Sequence, residues 1–207
     1  MDHKVTSDFN TWDRRYRGHF MNSLSGFKPV SLIGTWNEHE TANLAVFSNI
    51  VHLGADPALV GIVCRPMAAG GHTLTNIKRT GWFTINHVHP GIMEQAHQCS
   101  ARYPAAESEL EAVGLTLFLD SLVHAPFVEE SRIKFGVALK QVIPIAFNDT
   151  FFVIGQVESV WLSNHYIKDD GYLDLAEAQS MCSSGLDGYH TANPGHRIPY
   201  AKVPTNS

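Results

Sequence analysis

Apolar and polar positions along this chain alternate in short blocks, most of them the length of a strand. "KPVSLIGTW" (28–36) is apolar and β-branched, and the polar turn "NEHE" separates it from "ANLAVFSNIVHLG" (42–54). Asp56 and Pro57 punctuate the chain before "ALVGIVCRP" (58–66), a run apolar on both faces and therefore expected as a fully buried strand. Pro66 and "AAGG" (68–71) break that run. In "HTLTNIKRTGWFTIN" (72–86), Thr73 is the expected N-cap of a helix, Leu74 and Ile77 share its apolar face, and Gly81 stands just past its end. "WFTIN" then returns to period two.

Residues 91–113 read as helical, with Met93, Ala96 and Ala112 available for packing and Pro104 splitting the region. Further strands are expected at 115–123, 133–145 and 151–162. In the second, Ile133, Phe135, Val137 and Leu139 alternate with Lys134, Gly136, Ala138 and Lys140, the pattern of a half-buried antiparallel strand. The tail "GLDGYHTANPGHRIPYAKV" (185–203) is rich in Gly, Pro and aromatics and reads as a loop ordered by its contacts. Strands outnumber helices and no regular βαβ alternation appears. The expected architecture is one mainly β domain with α insertions, an antiparallel, Greek-key-like closed or split barrel, flanked by an N-terminal extension (about 1–25) and a C-terminal tail (about 185–207).

Composition narrows the class. The 207 residues are 44% hydrophobic and 17% charged, enough for one sizeable core, and the net charge of −5 argues against nucleic acid or an anionic membrane as the main partner. No apolar stretch approaches the roughly 20 residues of a membrane helix, and the N-terminus lacks a signal-peptide core, so a cytoplasmic protein is expected. The three cysteines, Cys64, Cys99 and Cys182, form no CxxC and fit a reducing compartment.

Four clusters carry candidate chemistry. A helix starting at His72-Thr73 offers N–H groups that favour an anion such as phosphate, with the Thr73 hydroxyl, Asn76 one turn on and Arg65 at the end of the preceding strand as further donors; a plain capped helix is the bland reading. Asn43, Ser48 and Asn49 in "NLAVFSN" are small polar groups inside an apolar strand, where a planar heterocycle finds donors and acceptors and where a polar rim is the alternative. His87 and His89, with His97 and Cys99 beyond, have strand spacing for a metal, but no carboxylate completes the set and surface histidines explain them as well, so no metal is assigned. Tyr189, His190, Arg197 and Tyr200 lie on a tail of the kind that covers a site or plugs a fold. No nucleophile elbow, Walker loop or dinucleotide-binding turn is present.

Taken in order, "NLAVFSN", "DPALVGIVCRP", "HTLTNIKRTGWFTIN", "ESELEAVGLT" (107–116), "GLDGYH" and "RIPYA" resemble the flavin reductase-like family, the FMN-binding split barrels, over roughly residues 28–201. The resemblance implies FMN, with Arg65, His72, Thr73 and Asn76 on the phosphate side. Asn43, Leu44, Ala45, Ser48 and Asn49 fall along the ribityl chain and isoalloxazine edge, largely through backbone groups. It implies a homodimer with the flavin near the subunit boundary, and hydride transfer from NADH or NADPH to flavin, with His190 and Tyr189 lining the nicotinamide or flavin face. A partner oxygenase is the implied recipient of reduced flavin in such a scheme; the alternative on the same fold is a non-catalytic electron carrier or redox sensor. Relatives often carry a Glu-Cys pair in the strand that here reads "IKFGVALK", and a tail Tyr-Ala-Arg-Pro where this chain has "YAKV".

Overall fold

The computed structural model describes residues 8–66, 71–104 and 106–203. The expected break at "AAGG" therefore lies outside the described residues except for Gly71. A seven-stranded antiparallel sheet dominates, with spatial order β3-β2-β6-β9-β10-β5-β4. Its strands are β2 (Ser31–Trp36), β3 (Ala42–Phe47), β4 (Val51–Ala55), β5 (Ala58–Cys64), β6 (Trp82–His87), β9 (Ile133–Ile145) and β10 (Thr150–Leu162). A hairpin of β7 (Leu117–Asp120) and β8 (Val123–Val128) lies against it, and β1 (Lys28–Pro29), β11 (Met181–Ser184) and β12 (Gly188–Thr191) form a small third sheet. The helices are α1 (Arg14–Leu24), α2 (His72–Thr80), α3 (Met93–Gln98) and α4 (Glu109–Ala112).

The main sheet curls around a core. Ile33 of β2, Ile62 and Cys64 of β5, Phe83 and Ile85 of β6, Val137 of β9 and Val153 of β10 share one apolar cluster with Leu74 and Ile77 of α2. Helix α2 lies against β2, β3 and β6. The opposite face of β2 and β3 is covered as well: Leu32 and Leu44 pack with Val88, Ile92, Ala96, Leu110 and Met181. That double cover is why all of β2 except Trp36 is buried.

Several expectations change on contact with the tertiary structure. The run 42–54 is two strands on opposite edges of the sheet, because residues 48–50 turn between them. The run 58–66 is not buried throughout: Ala58 is exposed and Leu59, Val60 and Val63 are half-buried. The single strand expected at 115–123 is a hairpin turning at Ser121-Leu122. In β9 the expected period two fails at its start, where Lys134 and Gly136 are buried too. The β7–β8 hairpin covers that face: the Lys134 ammonium lies 4.8 Å from the Phe118 ring centroid and donates to Val128 and Glu129 carbonyls at 3.1 and 2.6 Å. The tail is not all loop, since β12 pairs with β11 from Met181↔Thr191 to Ser184↔Gly188.

One crossing fixes the barrel's geometry. Strand β8 passes over β2 and β6, held by Asn86, whose amide donates to the Leu32 carbonyl (3.1 Å) and accepts from Val128 N–H (2.9 Å). Thr84 Oγ1 donates to the Pro126 carbonyl at 2.5 Å. The backbone of β8 comes so near that β2 has a glycine, Gly34, at the crossing.

Candidate flavin site

Helix α2 is anchored at its far end and open at its near end. At the C-terminus Gly81 takes a left-handed φ of 75° and its N–H bonds Ile77 O, while the Arg79 guanidinium donates to the carbonyls of Trp36 (2.8 Å) and Asn37 (2.5 Å). At the N-terminus the expected cap is corrected. The cap position is Gly71, which has no side chain to bond the first N–H groups, and no acidic residue lies in the first turn. Among the described residues no side chain caps these N–H groups, a setting that suits an outside anion. His72 and Arg65 are exposed beside this end of the chain.

Thr73 sits one position inside the helix, and its buried side chain points at β3 instead of back along its own backbone. Asn43 Nδ2 lies 3.2 Å from Thr35 Oγ1 and 3.5 Å from Thr73 Oγ1. Asn76 Nδ2 donates to the same Thr35 oxygen at 3.1 Å. Four buried polar side chains from β2, β3 and α2 thus converge, with the wholly buried Thr35 as the shared acceptor of Asn43 and Asn76. Thr35 is the residue that sequence reasoning missed. In "LIGTW" it reads as one more β-branched strand residue, and its role comes from partners 8 and 41 positions away.

The remaining candidates on β3 have different occupations. Leu44 is buried and its N–H donates to Glu109 Oε2 of α4 at 3.1 Å. Ala45 is half-buried opposite Ile33, and Ser48 is half-buried where β3 ends. Asn49 uses its carboxamide as a substitute backbone: Nδ2 donates to Val63 O (2.9 Å) and Oδ1 accepts from Val63 N–H (3.0 Å). These bonds continue the β4–β5 ladder by one step. Asn49→Ala should cost about 1–2 kcal/mol, from two lost bonds, and speed amide exchange at Val63; unchanged exchange there would contradict the clasp.

Tyr189 and His190 belong to β12. Tyr189 packs against the cluster that holds Leu44 and Val46, and its hydroxyl is 3.0 Å from His97 Nδ1. Burial keeps its phenol protonated above the usual range. His190 Nε2 is 2.8 Å from Ser184 Oγ, with Phe27 edge-on at 4.9 Å between ring centroids. None of these hydrogen bonds joins the Thr35 cluster.

The HxH pair is taken up by the fold. His89 Nδ1 accepts from Gly91 N–H (3.1 Å) and Nε2 donates to the Glu130 carbonyl (3.0 Å). His87 bonds Ser180 Oγ at 2.9 Å, and desolvation pushes its imidazole down to about 4. Burial likewise pushes the Cys64 and Cys99 thiols up to about 12, so neither is a thiolate near neutrality. Among the described residues, no group of three or more His, Cys, Asp or Glu is placed to hold a metal ion, and no helix is long and apolar enough to cross a membrane.

Comparison with known proteins bears on the family and the fold. The sequence profile described as flavin reductase like domain matches residues 25–177. A split-barrel protein from Shewanella frigidimarina, assigned as a flavin reductase, superposes with a TM-score of 0.92 at 45% identity, covering 97% of this chain and 100% of that one. Nitrilotriacetate monooxygenase component B from Bacillus cereus gives 0.84 at 18% identity, over 96% of this chain and 100% of the other. Flavoredoxin of Desulfovibrio vulgaris gives 0.75 at 19%, over 85% and 92%. The last two likenesses concern the fold.

Proposed function

This chain belongs to the flavin reductase-like domain family, and from that premise we propose that it binds FMN between β3 and α2 and reduces it with NADH or NADPH. The observation that carries the reading is the uncapped N-terminus of α2 beside the Asn43–Thr35–Asn76–Thr73 cluster. An anionic phosphate fits there: backbone N–H groups of His72 and Thr73 face it with the helix dipole, and the exposed Arg65 and His72 side chains add positive charge. Thr73 and Asn76 hold the helix against β3, so their part is to set the distance between phosphate and strand. Asn43, Ser48 and the backbone of Leu44 and Ala45 then lie along the ribityl chain and ring edge. Asn49, its carboxamide committed to Val63, fixes the turn at the end of that strand.

Flavin held here would supply the redox chemistry, hydride uptake from a reduced nicotinamide. The protein's share is binding, orientation and exclusion of water; no side chain need move a proton. Tyr189 and His190, each tied through its polar atom, would offer ring faces to the nicotinamide. Leu117, Leu119, Leu122, Val160 and Trp161 are exposed apolar residues on the described surface, which supports association into a homodimer. Likeness to a monooxygenase component supports a partner oxygenase as acceptor of reduced flavin. Likeness to flavoredoxin keeps electron carriage as the second reading.

The test is anaerobic. Protein loaded with FMN and desalted is expected to stay yellow and to bleach on addition of NADH or NADPH. Retained colour that bleaches only with dithionite would favour the carrier, and no retention or affinity at all would overturn the reading.

A further inference from the structure

Strand β3 is an edge of the main sheet, and its outward backbone groups need partners. Helix α4 and its N-cap Ser108 supply two of them through side chains. Ser108 Oγ donates to the Ala42 carbonyl at 2.9 Å, and Glu109 Oε2 accepts from the Leu44 N–H at 3.1 Å. Leu110, between the two strand contacts and the rest of α4, is buried in the core on that face, so the helix is fixed on the strand. Glu109 is itself only 8% exposed.

A neutral carboxamide or a hydroxyl would serve as the acceptor for Leu44. The fold instead buries an ionisable group, and among the described residues it makes no ion pair with a lysine or arginine. The titratable groups that act on it electrostatically are His72 from the start of α2, Cys99 from the end of α3 and Glu107 from the turn before α4; β3 brings no charged residue. Desolvation holds the Glu109 carboxyl above its ordinary range, with Glu107 adding to the effect, while backbone N–H groups and His72 pull the other way. The carboxyl can accept from Leu44 with or without its proton. Its charge is therefore free to answer to what sits near His72, the residue that opens the proposed phosphate site.

We propose that Glu109 is a positioning residue of the flavin strand that takes up a proton from solvent when an anion occupies the N-terminus of α2. The inference rests on the FMN site proposed above. A bound phosphate engages His72 and adds negative charge close to the carboxylate, which then favours its protonated form. The Leu44 bond survives the change, so β3 stays in place while the charge conflict is removed. The sign follows: FMN binding is tightest on the acid side and weakens as pH rises through the interval between the free and the bound titration of Glu109. For one proton the fall is at most about tenfold per pH unit. The FMN phosphate itself cannot produce this trend, because its second ionisation near pH 6 strengthens binding to a positive site as pH rises.

The experiment is fluorescence titration of the full-length protein with FMN and with riboflavin from pH 5.5 to 8.5, for wild type and Glu109→Gln. Wild type is expected to lose FMN affinity with rising pH more steeply than Glu109→Gln, which keeps the acceptor but not the proton. With riboflavin, which has no phosphate, the two proteins should run parallel. Calorimetry of both proteins with FMN in buffers of different ionisation enthalpy counts the protons directly, and wild type is expected to take up more than Glu109→Gln. Parallel FMN profiles, or equal proton uptake by the two proteins, would overturn the role of Glu109 while leaving the FMN site standing. Failure of wild type to bind either flavin would overturn the site and this inference with it.

Discussion

Gly34→Ala should yield little folded protein. A Cβ at that position would stand 2.1 Å from the Pro126 carbonyl oxygen and 2.5 Å from Thr84 Oγ1. Neither neighbour can step aside freely. The carbonyl belongs to the backbone of β8 and accepts from the Thr84 hydroxyl, and two residues on the same strand is tied to Asn86 through Val128 N–H. Relief requires β8 to lift from β2, which exposes Phe127 and breaks buried hydrogen bonds together. Overpacking ordinarily costs 1–3 kcal/mol; a rigid backbone contact of this kind should cost about 4 kcal/mol or more. Urea denaturation of whatever soluble variant is recovered measures it. A variant within about 1 kcal/mol of wild type would mean that the β2–β8 crossing is looser than described.

Thr35→Val should separate stability from shape. Valine fills nearly the same volume but offers no acceptor, so the Asn76 amide loses its partner and Asn43 keeps only Thr73 Oγ1 at 3.5 Å. Leaving one buried donor unpaired and a second weakly paired should cost about 1–3 kcal/mol. The functional effect should be larger than that of any exposed residue at the site: with Asn43 and Asn76 released, α2 and β3 no longer hold a fixed separation, and flavin affinity should fall at least about tenfold. Thr35→Ser restores the acceptor and should restore both properties. If Thr35→Val binds flavin as wild type does, the cluster is only a structural filling and the site lies elsewhere.

Much of the frame was legible locally. Strands β9 and β10 fall where their long β-branched runs predict, and α2 ends at Gly81 as its sequence requires. The order of the motifs led to the family. What escaped did so for physical reasons. Thr73 satisfies the propensity for an N-cap, yet its hydroxyl finds a tertiary partner in Asn43, and the cap falls to Gly71. "NLAVFSNIVHLG" carries no strong breaker, so nothing local reveals that Asn49 ends one strand edge by imitating the backbone of another. Lys134 looked solvent-facing because period two counts only one covered face, and the hairpin that covers the second begins 17 residues earlier in sequence, at Leu117. Glu109 sat inside a recognised motif, but its pairing with Leu44 spans 65 positions.

A barrel that holds a flavin between β3 and α2 should pass a nicotinamide hydride to it. The most direct measurement is the absorption spectrum of FMN-loaded, desalted protein, followed without oxygen as NADH and then NADPH are added. Retained flavin that bleaches with one of the two nucleotides is the predicted result. Flavin that washes out and shows no affinity on titration would contradict the account.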